Sequence, residues 1–402
     1  MTETLRAELA AALSEKLELL TDPDDASIRD VIDGLLLTRA ANLSVREKQT
    51  LSGQLFASVR RLDVLQPLID DPTVTEIMVN GPSRIFIERK GKLFLTKLRF
   101  SSQEKLEDVV RRIAGRCNRV INERMPIVDA RLPDGSRVNA VVAPAALDGP
   151  ILTIRRFPED PVTMADLLSF GSITREAADV LSVLVRARYS ILIGGGTSAG
   201  KTTFLGALSD YIPKDERIIT IEDNAELQIK GVPNLVRLEA KRANTEGGAE
   251  VTIRDLIKSA LRMRPDRIIV GEVRGEEAID MLQALNTGHD GSLSTLHANT
   301  AADLIARLST MVLLAYPLPL PAIHAQIASG VDVIVHLGRL PDHSRKVLEI
   351  METDTAPDGT ILLHPLFAWD PQLQALKKMN PVKNRLKLER TGLSHEEKLH
   401  GL

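Results

Sequence analysis

The chain is short of several things. Its 402 residues include one cysteine and one tryptophan, aromatic residues make up 3%, and the net charge is only −3. A single thiol, Cys117, excludes a disulfide framework and a cysteine-rich zinc site, and reads as an ordinary core thiol. So few rings argue against a stacking platform for single-stranded nucleic acid. The near balance of charge gives no global attraction to nucleic acid or to anionic lipid. Long hydrophobic runs are missing as well. Residues 1–8 are acidic and polar, and the most apolar late stretch, 311–322, is interrupted by Pro317, Pro319 and Pro321. Neither reads as a targeting or membrane-spanning segment.

What is present is an ordinary globular composition, 44% hydrophobic and 26% charged, at a length sufficient for two or three domains. Residues 1–65 read as helices, with Leu5, Leu9, Leu13 and Leu17 at helical spacing and Asp25 or Ser27 as the cap of the second helix. Residues 66–156 read as a mixed α+β domain. It contains a hairpin around Arg89-Lys90-Gly91, an amphipathic helix from Leu106 to Cys117, and a second hairpin turning at Asp134-Gly135. Residues 157–163, with Pro158 and Pro161, read as a linker. Residues 164–376 alternate helices with apolar strands, the pattern of a parallel sheet covered on both faces and hence an α/β fold. Residues 377–402 are charged and poor in apolar side chains, and are expected to be a loosely ordered tail.

Gly195-Gly196-Thr197-Ser198-Ala199-Gly200-Lys201-Thr202 fits G-x-x-x-x-G-K-[ST] and follows the apolar run Ile191-Leu192-Ile193. The glycines let backbone N–H groups converge on phosphate oxygens. Lys201 supplies a point charge for the β- and γ-phosphates, and the Thr202 hydroxyl suits Mg²⁺. The helix that continues through Thr203 adds its N-terminal dipole. The pattern implies a site for a nucleoside triphosphate, with ATP and Mg²⁺ as the ligands.

Ile268-Ile269-Val270-Gly271-Glu272 reads as a strand ending in a carboxylate, so that Glu272 would stand beside the phosphate loop and act on Mg²⁺ through water. Thr220-Ile221-Glu222-Asp223 ends another strand in two acids. Either one polarises water near the γ-phosphate, or Asp223 caps a turn and Glu222 is a surface acid. His297 follows a short strand-like run and is placed to sense a phosphate, whereas His289 reads as structural. Arginines cluster at Arg131/Arg137, Arg155/Arg156 and Arg262/Arg264/Arg267/Arg274. Such guanidiniums serve either salt bridges or the charge of a phosphoryl-transfer transition state, supplied there from a neighbouring subunit.

Together the phosphate loop, Ile219 to Leu227, Leu261 to Gly275 and Asn286 to Asn299 resemble the type II/type IV secretion ATPases. Glu76 to Gly81 and Val128 to Ala140 resemble the N-terminal domain of the Tad/Flp pilus assembly branch. The resemblance covers about residues 70–340. It implies a RecA-like ATPase domain behind a smaller PAS-like α+β domain, assembled as a homohexamer with nucleotide between the domains. It implies that Glu222 is the catalytic base, Glu272 the Walker B acid, and His297 a member of a histidine motif. It also implies that Arg137, Arg155 and Arg156 are offered to ATP. Ser198 stands where the family usually has glycine. The implied partner is an inner-membrane platform protein, met from the cytoplasmic side without direct nucleic-acid contact. The implied work is pilus assembly, retraction or secretion. A type IV export ATPase for protein or DNA, and a nucleotide-dependent scaffold with little turnover, are the alternatives.

Overall fold

The structure is a computed structural model that describes residues 2–20, 23–89, 91–132, 134–156, 161–241 and 249–395. It divides into two compact units, Met1–Glu159 and Asp160–Leu402.

The first unit opens with α1 (Thr2–Glu18), α2 (Asp25–Arg39) and α3 (Val45–Arg60). These pack through Leu9, Leu13, Ile28, Ile32, Leu35 and Leu55. The cap of α2 is Asp24, one residue before the expected Asp25; its side chain accepts from Ser27 N. Ser44 and Glu47 close α3 with reciprocal hydrogen bonds. A 3₁₀ turn and α4 (Gln66–Ile69) lead into β1 (Glu76–Asn80), β2 (Ile85–Arg89), β3 (Lys92–Leu95), α5 (Gln103–Arg116), β4 (Ile127–Arg131), β5 (Arg137–Val141) and β6 (Ile151–Arg155). Among the described residues the strands form one antiparallel sheet in the order β3-β2-β1-β6-β5-β4. Both hairpins expected from the sequence are there, and α5 buries Leu106, Val109, Val110 and Ile113 with the inner sheet residues. The helical region and the α+β region, separate in the sequence reading, share this one unit. Of the expected linker, residues 157–160 lie outside the described residues.

The second unit runs α6 (Met164–Ser169), α7 (Arg175–Arg186), β7 (Ile191–Gly195), α8 (Lys201–Ser209), β8 (Ile218–Glu222), β9 (Leu235–Glu239), α9 (Ile253–Ala260), β10 (Arg267–Val273), α10 (Glu277–Asn286) and β11 (Leu293–His297). It continues with α11 (Ala301–Ala315), α12 (Leu320–Gly330), β12 (Val333–Arg339), β13 (Arg345–Thr355), β14 (Ile361–Asp370), β15 (Ala375–Lys378) and α13 (Leu386–Arg390). Among the described residues nine strands form one sheet in the order β15-β14-β13-β12-β7-β11-β10-β8-β9. The strands from β12 to β9 are mutually parallel, and β13 to β15 extend the sheet as an antiparallel meander. One apolar cluster unites α7 and α8 with one face, and another unites α9 to α12 with the other. That two-sided burial is why β7 and β8 read as unbroken apolar runs.

Two details depart from the sequence reading. Strand β10 does not end at Glu272 but continues to Val273, with its register on β11 shifted between Val270 and Val273. The chain beyond residue 376 is not a loose tail as far as it is described. It forms the end of β15 and then α13, where Leu388 is buried and Lys387 Nζ reaches Asp290 at 2.8 Å and Asp332 at 2.7 Å.

Candidate nucleotide site

Strand β7 lies between β11 and β12, so the loop that follows it opens at the carboxyl edge of the sheet near its middle. The loop's shape needs its glycines. A Cβ on Gly195 would meet Leu337 O at 2.7 Å, and Gly200 has φ +93°. Ser198 also has a positive φ, +59°, in the left-handed region that disfavours a Cβ. Gly196, Thr197 and Ser198 are exposed and Ala199 is buried. Lys201 and Thr202 form the first turn of α8, Lys201 buried and Thr202 half-buried, with Thr203 exposed beside them. The first N–H groups of a helix have no partner within it, so this turn presents donors as well as a cation.

Four groups meet Lys201. Its Nζ lies 3.2 Å from Gly195 O, 3.1 Å from Gly196 O, 3.3 Å from His297 Nδ1 and 3.8 Å from Glu272 Oε1. His297 Nε2 is in turn 2.9 Å from Glu272 Oε1. Burial, and then the Lys201 charge, hold the His297 pKa below the ordinary histidine value. The imidazole is therefore neutral at pH 7; Nδ1 accepts from Lys201, which leaves the proton on Nε2, close to Glu272 Oε1 but not aligned for a hydrogen bond among the described residues. The other carboxylate oxygen, Glu272 Oε2, accepts from Arg274 Nε at 2.6 Å and also pairs with its terminal nitrogen. Arg274 reaches Asp223 at 3.5 Å.

Glu222 is 3% exposed. Its Oε1 accepts from Glu226 N and Leu227 N, both at 2.9 Å, while Oε2 is buried with no hydrogen-bond partner among the described residues. Burial pushes the carboxyl pKa up, and the two backbone donors only partly offset it. The side chain crosses Gly271, where a Cβ would stand 2.7 Å from Glu222 Cγ. The surface acid of the alternative reading is therefore set aside: Glu222 is interior, and it lies against the residue that precedes Glu272. Asp223 pairs with Arg274.

The structure brings Lys201, His297 and Glu272 into contact, adds Gly271, which the sequence reading left without a role, and gives Arg274 the salt-bridge use among its two alternatives. The hydroxyls of Ser294 and Thr295 donate to Val270 O at 2.8 Å and Gly271 O at 2.7 Å, where the register of β10 on β11 becomes irregular. The small polar run that ends at His297 was the available signal for this.

The arginines of the first unit divide. Arg131 faces Arg137 across β4 and β5, Arg137 faces Arg155 across β5 and β6, and Arg155 faces Glu76 on β1. Arg131 is tied to the turn, with Nε donating to Gly135 O at 3.1 Å. Arg156 points elsewhere: its guanidinium donates to Val74 O at 3.2 Å and to Asp71 O, a structural use. In the second unit Arg267 is wholly buried and holds Glu216 through two nitrogens, at 2.6 and 3.1 Å.

A strand, phosphate loop and helix at the centre of a parallel-rich sheet, with acidic strand ends beside them, define a P-loop nucleotide-binding α/β fold. Within that class, the chain belongs to the type II/IV secretion system protein family, which matches residues 59–373. A putative conjugal transfer protein of Mycobacterium tuberculosis is 38% identical over 293 residues, covering 71% of this chain and 83% of its own. The type IV secretion system protein VirB11 of Brucella suis is 35% identical over 303 residues, covering 69% and 84%. Among solved structures, the Legionella pneumophila ATPase DotB aligns with a TM-score of 0.53 at 20% identity, covering 79% of this chain and 82% of its own. The pilus retraction motor PilT with bound ADP gives 0.53 at 21%, covering 82% and 86%. At those identities the likeness is one of fold.

Proposed function

We propose that the chain is an Mg²⁺-dependent ATP hydrolase that works as a homohexameric ring, driving pilus assembly or retraction of the Tad/Flp kind, or secretion. Glu222 carries this reading: a buried carboxylate with one oxygen held by two backbone N–H groups and the other unpartnered, beside the Walker B strand. A carboxyl whose pKa is raised toward neutrality is a better proton acceptor than an ordinary glutamate. The residues present fit the ligands. Lys201, the loop from Gly195 to Gly200 and the first turn of α8, with Thr202 and Thr203, would bind the phosphates. Thr202 and Glu272 would hold Mg²⁺, which would supply charge neutralisation for the phosphates. His297 accepts from Lys201 and stands 2.9 Å from Glu272 Oε1, so it senses any displacement of either. Arg137 and Arg155 supply guanidiniums for charge developing in the transition state. Arg156 is left a structural residue.

The platform partner is a membrane protein met at the cytoplasmic face. Among the described residues no helix is long and apolar enough to cross a membrane. A second reading, a type IV secretion ATPase that exports protein or DNA, is favoured by the relatives named for conjugal transfer and for VirB11. The test is phosphate release per subunit with Mg²⁺–ATP for the wild type and Glu222→Gln. Release that the substitution abolishes supports the hydrolase. ATP binding with no release by the wild type points instead to a nucleotide-dependent scaffold, and stimulation by DNA points to export of nucleic acid.

A further inference from the structure

The outer side of the phosphate loop is met by a residue that belongs to none of the nucleotide motifs. Arg345, the first residue of β13, donates from Nε to Ser198 O at 3.0 Å. Its Cδ stands 3.4 Å from where a Cβ on Gly200 would lie, so the side chain runs along both left-handed positions of the loop. One of those positions is glycine and accepts a positive φ freely. The other is Ser198, which does not.

The arginine is itself held in place. Alternate residues of a strand point to opposite faces, and Lys346, the next along, reaches away to cap Gly171 O at 2.7 Å and Phe170 O at 3.2 Å. Val347 N donates to Ser172 O at 2.8 Å. On its other edge β13 pairs Arg345 with Arg339 of β12, and β12 pairs Leu337 with Gly195. The start of β13 is thus fixed relative to the strand from which the phosphate loop springs.

We propose that Arg345 is a positioning residue of the nucleotide site: by holding Ser198 O it keeps the loop in a conformation that a serine would otherwise tend to leave. The loop's N–H groups converge on phosphate only in that conformation. The inference rests on the phosphate loop being the ATP site. It carries a specific consequence: the arginine matters because residue 198 is a serine, and a glycine there makes it dispensable.

The experiment is a calorimetric titration of Mg²⁺–ADP into the full chain as wild type, Arg345→Ala, Arg345→Lys, Ser198→Gly and Ser198→Gly/Arg345→Ala. Arg345→Ala is expected to weaken binding about tenfold, as loss of a charge-assisted hydrogen bond does. Arg345→Lys, which keeps the charge and a donor, loses less and serves if the alanine variant is unstable. In the Ser198→Gly background, Arg345→Ala changes affinity less than about twofold. Wild-type affinity in Arg345→Ala overturns the proposal. So does an equal loss in both backgrounds, which would mean that the arginine acts on the nucleotide or on the fold at large. A wild type that binds no ADP fails earlier and takes the nucleotide-site reading with it.

Discussion

Glu222 shows at the scale of one residue how burial makes chemistry. Its carboxyl pKa is raised above 4.5 because desolvation outweighs the two backbone donors on Oε1. A raised folded-state pKa contributes stability that is fully present below 4.5 and is lost as pH rises through the raised value. Glu222→Gln has no such loss. Its thermal midpoint relative to wild type is therefore expected to climb as pH increases from 4.5, while phosphate release falls at least about a hundredfold. A variant that tracks the wild type at every pH would remove burial as the cause. Gly271→Ala places a methyl 2.7 Å from Glu222 Cγ, and denaturant titration should show it destabilised by about 1–3 kcal/mol. Lys201→Ala removes the cation at the loop and should weaken Mg²⁺–ATP binding about a hundredfold, read by titration.

At the scale of elements, β10 and the C-terminal helix matter most. The register of β10 on β11 shifts between Val270 and Val273, and there the Ser294 and Thr295 hydroxyls donate to Val270 O and Gly271 O. Helix α13 is fastened by Lys387, which pairs with Asp290 and with Asp332, a carboxylate whose pKa is raised by burial despite that partner. Removing the lysine leaves Asp332 charged and enclosed. Lys387→Met is expected to cost about 3 kcal/mol. The thermal midpoint would drop by roughly 6–12 °C. A drop under about 2 °C would mean that water replaces the lysine at no cost.

At the scale of the whole molecule, the row Arg131, Arg137, Arg155 sets like charges directly across adjacent strands. Arg155 ends the row opposite Glu76, a carboxyl whose pKa burial raises and the guanidinium draws back down, so its removal relieves one repulsion and loses one attraction. Arg155→Ala is accordingly expected to leave the thermal midpoint within about 2 °C of wild type, while lowering phosphate release about a thousandfold if the guanidinium serves the transition state. A midpoint that falls together with activity would make it a structural arginine, as Arg156 is. If the chain works as the proposed ring, with sites completed by a neighbour, release per subunit should also rise cooperatively with protein concentration.

Sequence by itself determined the phosphate loop and the alternation of apolar strands with helices, because each is a local pattern with a local physical cause; it offered Glu222, Glu272 and His297 as candidates, the base role of Glu222 only through resemblance to a family. Backbone chemistry fixes the spacing of the loop glycines, and two-sided burial fixes the strand composition. Tertiary structure alone decided which acid is interior. Glu222 and Asp223 are neighbours in the chain, and only the pairing of β8 with β10 sends one across Gly271 and leaves the other to Arg274. It likewise took Arg156 from the arginine set, gave residues 377–395 defined structure, and brought Arg345 to Ser198 across 147 residues of sequence. Contacts of that span depend on sheet order and register, which no run of neighbouring residues encodes.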